Sequence, residues 1–265
     1  DLKNDRYFFT AGQHRVDKDF HPALGFVQRN DMVGTGAIMG FTPRVGNGEE
    51  LIRQMRFTLY VRDVKNLEGL SETSIINGGI DAIFESRDKI GLKIIQEKEK
   101  LSNGFTLGNG LEIQKGNYID RKISFSARTN QSRGVWGNFA FSKGDYFGGN
   151  KTSWSGSIGK QFSNHLTLYG SANQNIIFMS NQGEFTANVY GFTAEVALNR
   201  KWFGKALIQY DNFSNQLQLY CRINWIHTPG SDLFIVLNQR YDMSGGTKKL
   251  FQNTQVVKLT YLFQI

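Results

Sequence analysis

Hydrophobic and polar residues alternate one by one through most of the chain. At the C-terminal end Val257, Leu259, Tyr261, Phe263 and Ile265 share one parity, and Thr254, Lys258, Thr260 and Gln264 the other, interrupted by Val256 and Leu262. A period of two predicts a β-strand, because successive side chains point to opposite faces. The pattern recurs upstream. Leu217, Leu219, Cys221, Ile223 and Trp225 oppose Gln218, Tyr220, Arg222 and Asn224; Met55, Phe57, Leu59 and Val61 oppose Gln54, Arg56, Thr58, Tyr60 and Arg62. Further segments centre on Ala11, Ala37, Ile80, Leu92, Phe125, Phe139, Ser155, Leu168, Ala194, Ile208 and Ile235, which makes fourteen.

The polar parities carry Arg56, Arg62, Asp81, Glu85, Lys93, Arg128, Lys205, Asp211, Arg222 and Lys258. One such strand is equally the edge of a soluble sandwich. Fourteen in series predict an all-β fold, an antiparallel up-and-down transmembrane β-barrel in which these ten residues face the lumen. Leu219, Ile223, Leu259, Tyr261 and Phe263 then face lipid, and residues 1–265 form a single outer-membrane barrel domain.

Connection lengths set an orientation. With Ile265 on the periplasmic side, the periplasmic turns fall at Thr228–Ser231, Arg200–Lys201, Ser163–His165, Gln131–Gly134 and Ser86–Asp88, all short. The external loops fall at Gln13–Asn30, Leu101–Gly116, Asp145–Asn150 and Ser244–Phe251, mostly longer, as in outer-membrane barrels. Asn212–Asn215 is too tight for this pattern and Arg44–Leu51 too long. Trp136, Trp154, Trp202 and Trp225 sit near strand ends, where an aromatic girdle meets the lipid–water interface.

Composition agrees with hairpins over helices: aromatic residues are 13%, glycines 29 and prolines only 3. No apolar run reaches the 18 or so residues of a transmembrane helix, which leaves a barrel open because its strands need only about 9–11. The start, Asp1-Leu-Lys-Asn4, lacks a basic region followed by an apolar one, so an exported chain of this kind is expected to be a mature form or part of a longer protein. The single Cys221 excludes an internal disulfide. The net charge of +8 is scattered, without a basic run or a nucleic-acid motif, so no nucleic-acid partner is expected.

Catalytic signals are weak. His14, His21, His165 and His227 lack zinc-ligand spacing, and no Gly-x-Ser-x-Gly elbow occurs. Outer-membrane lipases use a Ser-His-Asn set near the outer rim, but His165 and His227 fall on the opposite side. Gly34-x-Gly36-x-x-x-Gly40 is not a dinucleotide fingerprint, and inside a strand it predicts close approach of a neighbour. Asp145–Asn150 has too few carboxylates for calcium. No enzyme, metal or cofactor is expected. The aromatic loop Lys18–Phe26 predicts self-packing, with Phe20 and Phe26 as plugs.

Four stretches carry a likeness: Lys18–Val27, Leu111-Glu-Ile113 with Gly116-Asn-Tyr118, Trp225–Val236 with its Pro-Gly-Ser-Asp-Leu-Phe run, and Lys258–Phe263. Together they resemble the C-terminal barrel of a family of Gram-negative outer-membrane proteins of unassigned function. Members of that family join an N-terminal carbohydrate-binding module, similar to family 9, to a large barrel. The resemblance implies an outer-membrane location and contact with outer-membrane lipids, lipopolysaccharide and other envelope proteins; if the family's barrel is longer, these fourteen strands are a part of it. The module is not in this sequence, so sugar binding passes to no residue. Ile265 stands where such barrels commonly end on an aromatic, leaving Tyr261 and Phe263 to serve the insertion signal.

Two functions are compatible with this reading. One is a membrane anchor or structural component of an envelope assembly; the other is a pore for a polar, anionic solute. The mixed signs of the inward charges favour ion-pair ladders that fill the interior.

Overall fold

A computed structural model describes all residues except 1, 4–5, 23–24, 28, 46–49 and 264–265, and all described side chains except those of residues 2, 3 and 109. It contains fourteen strands of ten or more residues: β2 (Tyr7–Val16), β3 (Met32–Phe41), β4 (Ile52–Lys65), β5 (Ser71–Phe84), β6 (Lys89–Leu101), β9 (Gly116–Arg128), β10 (Val135–Tyr146), β11 (Gly149–Ser163), β12 (Leu166–Met179), β13 (Gly183–Ala197), β14 (Trp202–Asp211), β15 (Gln216–Thr228), β16 (Ser231–Asp242) and β17 (Lys249–Thr260). A two-residue β1 (Leu2–Lys3) precedes them, and β7 (Phe105–Thr106) and β8 (Glu112–Ile113) pair within one loop. The only helix among the described residues is one turn of 3-10 helix, Gly108–Gly110. Each expected segment corresponds to one of the fourteen strands.

All pairing is antiparallel between chain neighbours, in the order β1 to β6 and then β9 to β17, so the sheet is an up-and-down meander. The order is open, with β1 and β17 as its end members. The chain divides into two compact units: residues 1–128, 140–153 and 176–185 form the first, and 129–139, 154–175 and 186–265 the second.

In unit 1, β3 presents glycines to its neighbours. A Cβ on Gly34 would collide with the His14 ring, and one on Gly40 with the Phe8 ring, so these glycines admit the β2 side chains, as the Gly-x-Gly spacing predicted. Register rows run Phe57–Ile80–Leu92–Phe125 and Leu59–Gly78–Ile94–Ile123, each row apolar or glycine throughout. In unit 2 the rows run Trp202–Trp225–Leu233–Leu259 and Gly204–Ile223–Ile235–Val257. A one-residue slip would turn every such row to the opposite face, so the apolar parity fixes register.

Turn lengths depart from expectation because the strands extend further than the alternation suggested. Asp145–Asn150 is a tight turn at Phe147-Gly148, both with positive φ (45° and 82°). At the end of the sheet read as external, only residues 17–31 and 102–115 form long connections, and both belong to unit 1. Four residues of Arg44–Leu51 lie outside the described residues; Arg44 bridges to Gln54.

Candidate functional site

Three features of the sheet carry functional information: an apolar face, a blocked end of unit 1, and a polar face in unit 2. The apolar face comes first because it is the most extensive. On unit 1, the outward positions of β4 (Met55 to Val61), β5 (Ile76 to Ala82), β6 (Ile90 to Ile94) and β9 (Ile123 to Ala127) hold no charge. Ile80, Leu92, Ile94 and Ile123 are exposed there. On unit 2 the corresponding face exposes Phe192, Ile208, Ile223, Ile235, Val257 and Leu259, with Val257 at 69%. A soluble monomer rarely exposes a contiguous apolar surface beyond a few hundred Å².

Each unit carries an aromatic ladder. In unit 2, Trp202 stacks on Trp225 at 5.3 Å, Trp225 meets His227 at 5.6 Å, His227 stacks on Tyr261 at 5.7 Å and Tyr261 meets Phe263 at 4.6 Å. In unit 1, Tyr7, Phe41 and Phe57 stack in series, with the Arg6 guanidinium over the first two rings. Trp154 shares the parity of the exposed Ile158 and donates to Gln174 at 2.7 Å. Trp136 does not belong to this set: it covers Gly159, meets the Tyr169 ring edge-on, and has the parity opposite to the exposed Phe139.

The buried apolar side chains gather at the long-loop end of unit 1. They are Met32, Val64, Leu111, Ile113, Ile177, Met179 and Phe185, among the described residues. The loop 102–115 supplies two of them and is tied down by Gln182. Its Oε1 accepts the Glu112 amide at 2.6 Å and its Nε2 donates to the Glu112 carbonyl at 2.9 Å. Phe147 packs edge-on against Phe105, Tyr118 and Tyr146, which joins the same loop to the β10–β11 turn. The loop 17–31 enters through Arg29, which pairs with Glu99 at 3.1 Å and Glu72 at 3.4 Å. Phe20 and Phe26 are not buried: Phe26, 89% exposed, borders the cavity beside the loop, and the ion-paired anchor is the Arg29 guanidinium. The aromatic content of the loop hid this, because Arg29 has no local partner in the sequence.

Between the 17–31 loop and the sheet lies a cavity of about 860 Å³, lined among others by Arg29, Arg62, Glu97, Glu99, Lys122 and Lys151. Lys122 pairs with Glu97 at 3.1 Å. This level lies beyond the uncharged stretch, since the outward partners here are Gln96 and Arg121. Burial pushes the Asp120 carboxyl up, assisted by Asp145 and Glu97 and opposed by the Phe147 amide that donates to it at 3.0 Å. Burial lowers the Lys151 ammonium, and Lys122 adds to the effect; Lys151 sits 5.1 Å from the Tyr146 ring centre. Opposite charges thus neutralise one another around the cavity, with Arg62 and Lys151 outside the ion pairs seen among the described residues.

The ten polar candidates separate into three groups. Arg56, Arg62, Asp81 and Lys93 share the inward parity of unit 1. Asp81 is buried and pairs with Lys89 at 3.1 Å, while the Nε of Arg56, its cross-strand neighbour, is buried without a hydrogen-bond partner. Lys205, Arg222 and Lys258 share the inward parity of unit 2. Lys205 pairs with Glu195 at 2.9 Å, and Arg222 and Lys258 lie 5.1 and 5.5 Å from the centre of the Phe234 ring. The remaining three sit at strand ends or beyond, not in mid-strand. Glu85 lies in the turn after β5; Arg128 is the exposed last residue of β9; Asp211 ends β14 and caps the next turn by accepting from the Phe213 amide and the Ser214 hydroxyl. Alternation gives parity but not where a strand stops, so these ends were placed too deep.

Of the five outward candidates, Leu219 and Ile223 lie on β15 and Leu259 on β17, while Tyr261 and Phe263 follow the end of β17 at Thr260. The regular strand stops there because the Leu262 amide turns to donate to Ser231 Oγ at 2.8 Å. That bond explains the Pro-Gly-Ser turn: Gly230 leaves room for the Leu262 side chain and Ser231 is buried to receive it. Ile265, the residue on which the orientation was anchored, lies outside the described residues. Cys221 is half-buried on the outward parity.

Among the described residues no helix is long and apolar enough to cross a membrane, and no group of three or more His, Cys, Asp or Glu is placed for a metal ion. No family model matches the chain, and no curated protein matches it.

Proposed function

We propose that the chain is a transmembrane β-barrel domain of a bacterial outer membrane, its C-terminal end periplasmic, serving as a membrane anchor or structural component of an envelope assembly. The observation that carries this reading is the exposed apolar band on one parity of the long strands, uncharged over Met55 to Val61, Ile76 to Ala82, Ile90 to Ile94, Ile123 to Ala127 and Leu217 to Trp225. Leu217 to Trp225 on β15 spans eight residue steps, or about 27 Å along the strand at roughly 3.4 Å each. At a tilt of about 40° that covers ~21 Å, near the ~25 Å apolar belt of outer-membrane barrels. The aromatic ladders fit an interfacial girdle. An open sheet with this face leaves two unpaired strand edges, and β2 and β17 are exposed along almost their whole length. Closure into a barrel, by these strands or by further ones, removes those edges.

Loops at the external end favour an anchor over a channel, since unit 1 fills that end with apolar side chains and paired charges. The likeness to barrels that carry a family-9-like module belongs to the same proposal, with the missing module as the anchored cargo. A pore is the second reading, favoured by unit 2. Its inward face carries Lys205, Arg222 and Lys258 and holds no buried hydrophobic residue among those described. Single-channel recording on the purified chain in planar bilayers separates the two: silence supports the anchor, and a steady conductance with anion preference overturns it in favour of the pore.

A further inference from the structure

Charged residues at the external end of β6 are sorted by face. In Glu97-Lys98-Glu99-Lys100 the glutamates point inward, to Lys122 and Arg29, so by the period of two the lysines point outward. Both lysines are exposed. Arg121 lies on the same outward face of β9, exposed, across from Gln96 and diagonal to Lys98. Its Nε donates to Gln96 Oε1 at 3.2 Å, which leaves the terminal guanidinium nitrogens free of any bond to a carboxylate among those described. Lys143 on β10 shares the parity of the exposed Phe141. Asp145 is the one acid of that parity on β10, and one of its oxygens accepts the Arg121 amide at 3.1 Å. The exposed apolar residues Ile94, Ile119, Ile123 and Phe141 adjoin these four cations.

We infer that Lys98, Lys100, Arg121 and Lys143 form a docking surface for a lipid whose headgroup carries phosphate, the acyl chains lying on the apolar face and the phosphates among the cations. The inference rests on the membrane reading and places a specific lipid at one part of its rim. The match is one of charge and geometry: a cationic cluster directly above an uncharged band meets headgroup phosphates at the depth where acyl chains end. The carboxylates of the same parity are engaged elsewhere: Glu72 pairs with Arg29, Asp63 with Lys65, and Asp145 accepts the Arg121 amide. Ion pairs inside the sheet would have kept the lysines inward had they served only the interior.

The test uses the whole chain folded into phosphatidylcholine vesicles, with and without lipid A as the phosphorylated probe. Flotation scores insertion, and native mass spectrometry after mild detergent extraction scores retained lipid A. Retention is expected for the wild type but not for dephosphorylated lipid A. It should fall by at least about tenfold when Lys98, Lys100, Arg121 and Lys143 are all changed to Gln. A control with Arg200, Lys201, Lys248 and Lys249 changed to Gln removes the same charge and should retain lipid A. Equal retention by the Lys98/Lys100/Arg121/Lys143 variant, or equal retention of the dephosphorylated lipid, overturns the inference. Wild type that floats with phosphatidylcholine yet holds no lipid A sinks this inference alone. Wild type that does not float at all removes the membrane reading and the lipid site with it.

Discussion

Gly144 shows how little room the sheet leaves for a side chain. A Cβ there would meet the Arg121 carbonyl and the Lys122 backbone, which cannot move away as the tip of a side chain can. Gly144→Ala is expected to cost about 1–3 kcal/mol in urea unfolding, whereas Gly78→Ala, with nothing within 4 Å of the added methyl, should be near neutral. Equal effects would mean that strand propensity and not close approach governs both positions. A second residue-scale expectation concerns Asp120. Burial raises its folded carboxyl above the ordinary carboxylate value, so the folded state binds the proton more tightly than the unfolded one. Stability from this group therefore rises as pH falls through the raised value and is lost as pH climbs above it. Asp120→Asn should accordingly stabilise the chain, relative to wild type, more at neutral pH than near pH 4. A difference of opposite slope would contradict the assignment to burial. The glycine spacing at Gly34 and Gly40 was legible as close approach; Gly144 was not, because only the β9 register reveals what lies across from it.

Among elements, strands and loops were unequally legible. Every long strand left its period of two in the sequence, since each has one apolar and one polar face. Strand ends did not, as Glu85, Arg128 and Asp211 show, because the alternation runs on to residues at which the strand stops or has already stopped. Loop anchors were hidden for a different reason. Arg29 finds Glu99 seventy residues away, and Gln182 finds Glu112 across the same separation, so no local pattern marks either. Trp136 was misplaced by position along its strand when its parity already assigned it to the polar face. The Gln182 anchor gives an element-scale prediction. Gln182→Ala should remove two hydrogen bonds worth about 1–2 kcal/mol together and speed proteolysis within residues 102–115, leaving the strands intact. Unchanged proteolysis would show that Leu111 and Ile113 hold the loop without it.

For the whole molecule, the proposed barrel rests on strands that expose apolar side chains on one parity and carry polar ones on the other. Leu219→Arg places a charge in the middle of that surface and should cost about 2–4 kcal/mol in lipid if the site lies at the midplane. Gln218→Arg, one residue away on the other face, should cost far less. The same chain supplies its own probe of the central claim, because Cys221 is the sole cysteine and sits between Leu219 and Ile223 on the outward parity. A nitroxide attached there, with the chain folded in phosphatidylcholine vesicles, should collide freely with dissolved oxygen and rarely with a water-soluble nickel chelate. Moving the cysteine by Tyr220→Cys with Cys221→Ser should reverse that preference. A label at Cys221 that meets the nickel chelate more readily than oxygen would contradict a lipid-facing surface and with it the barrel.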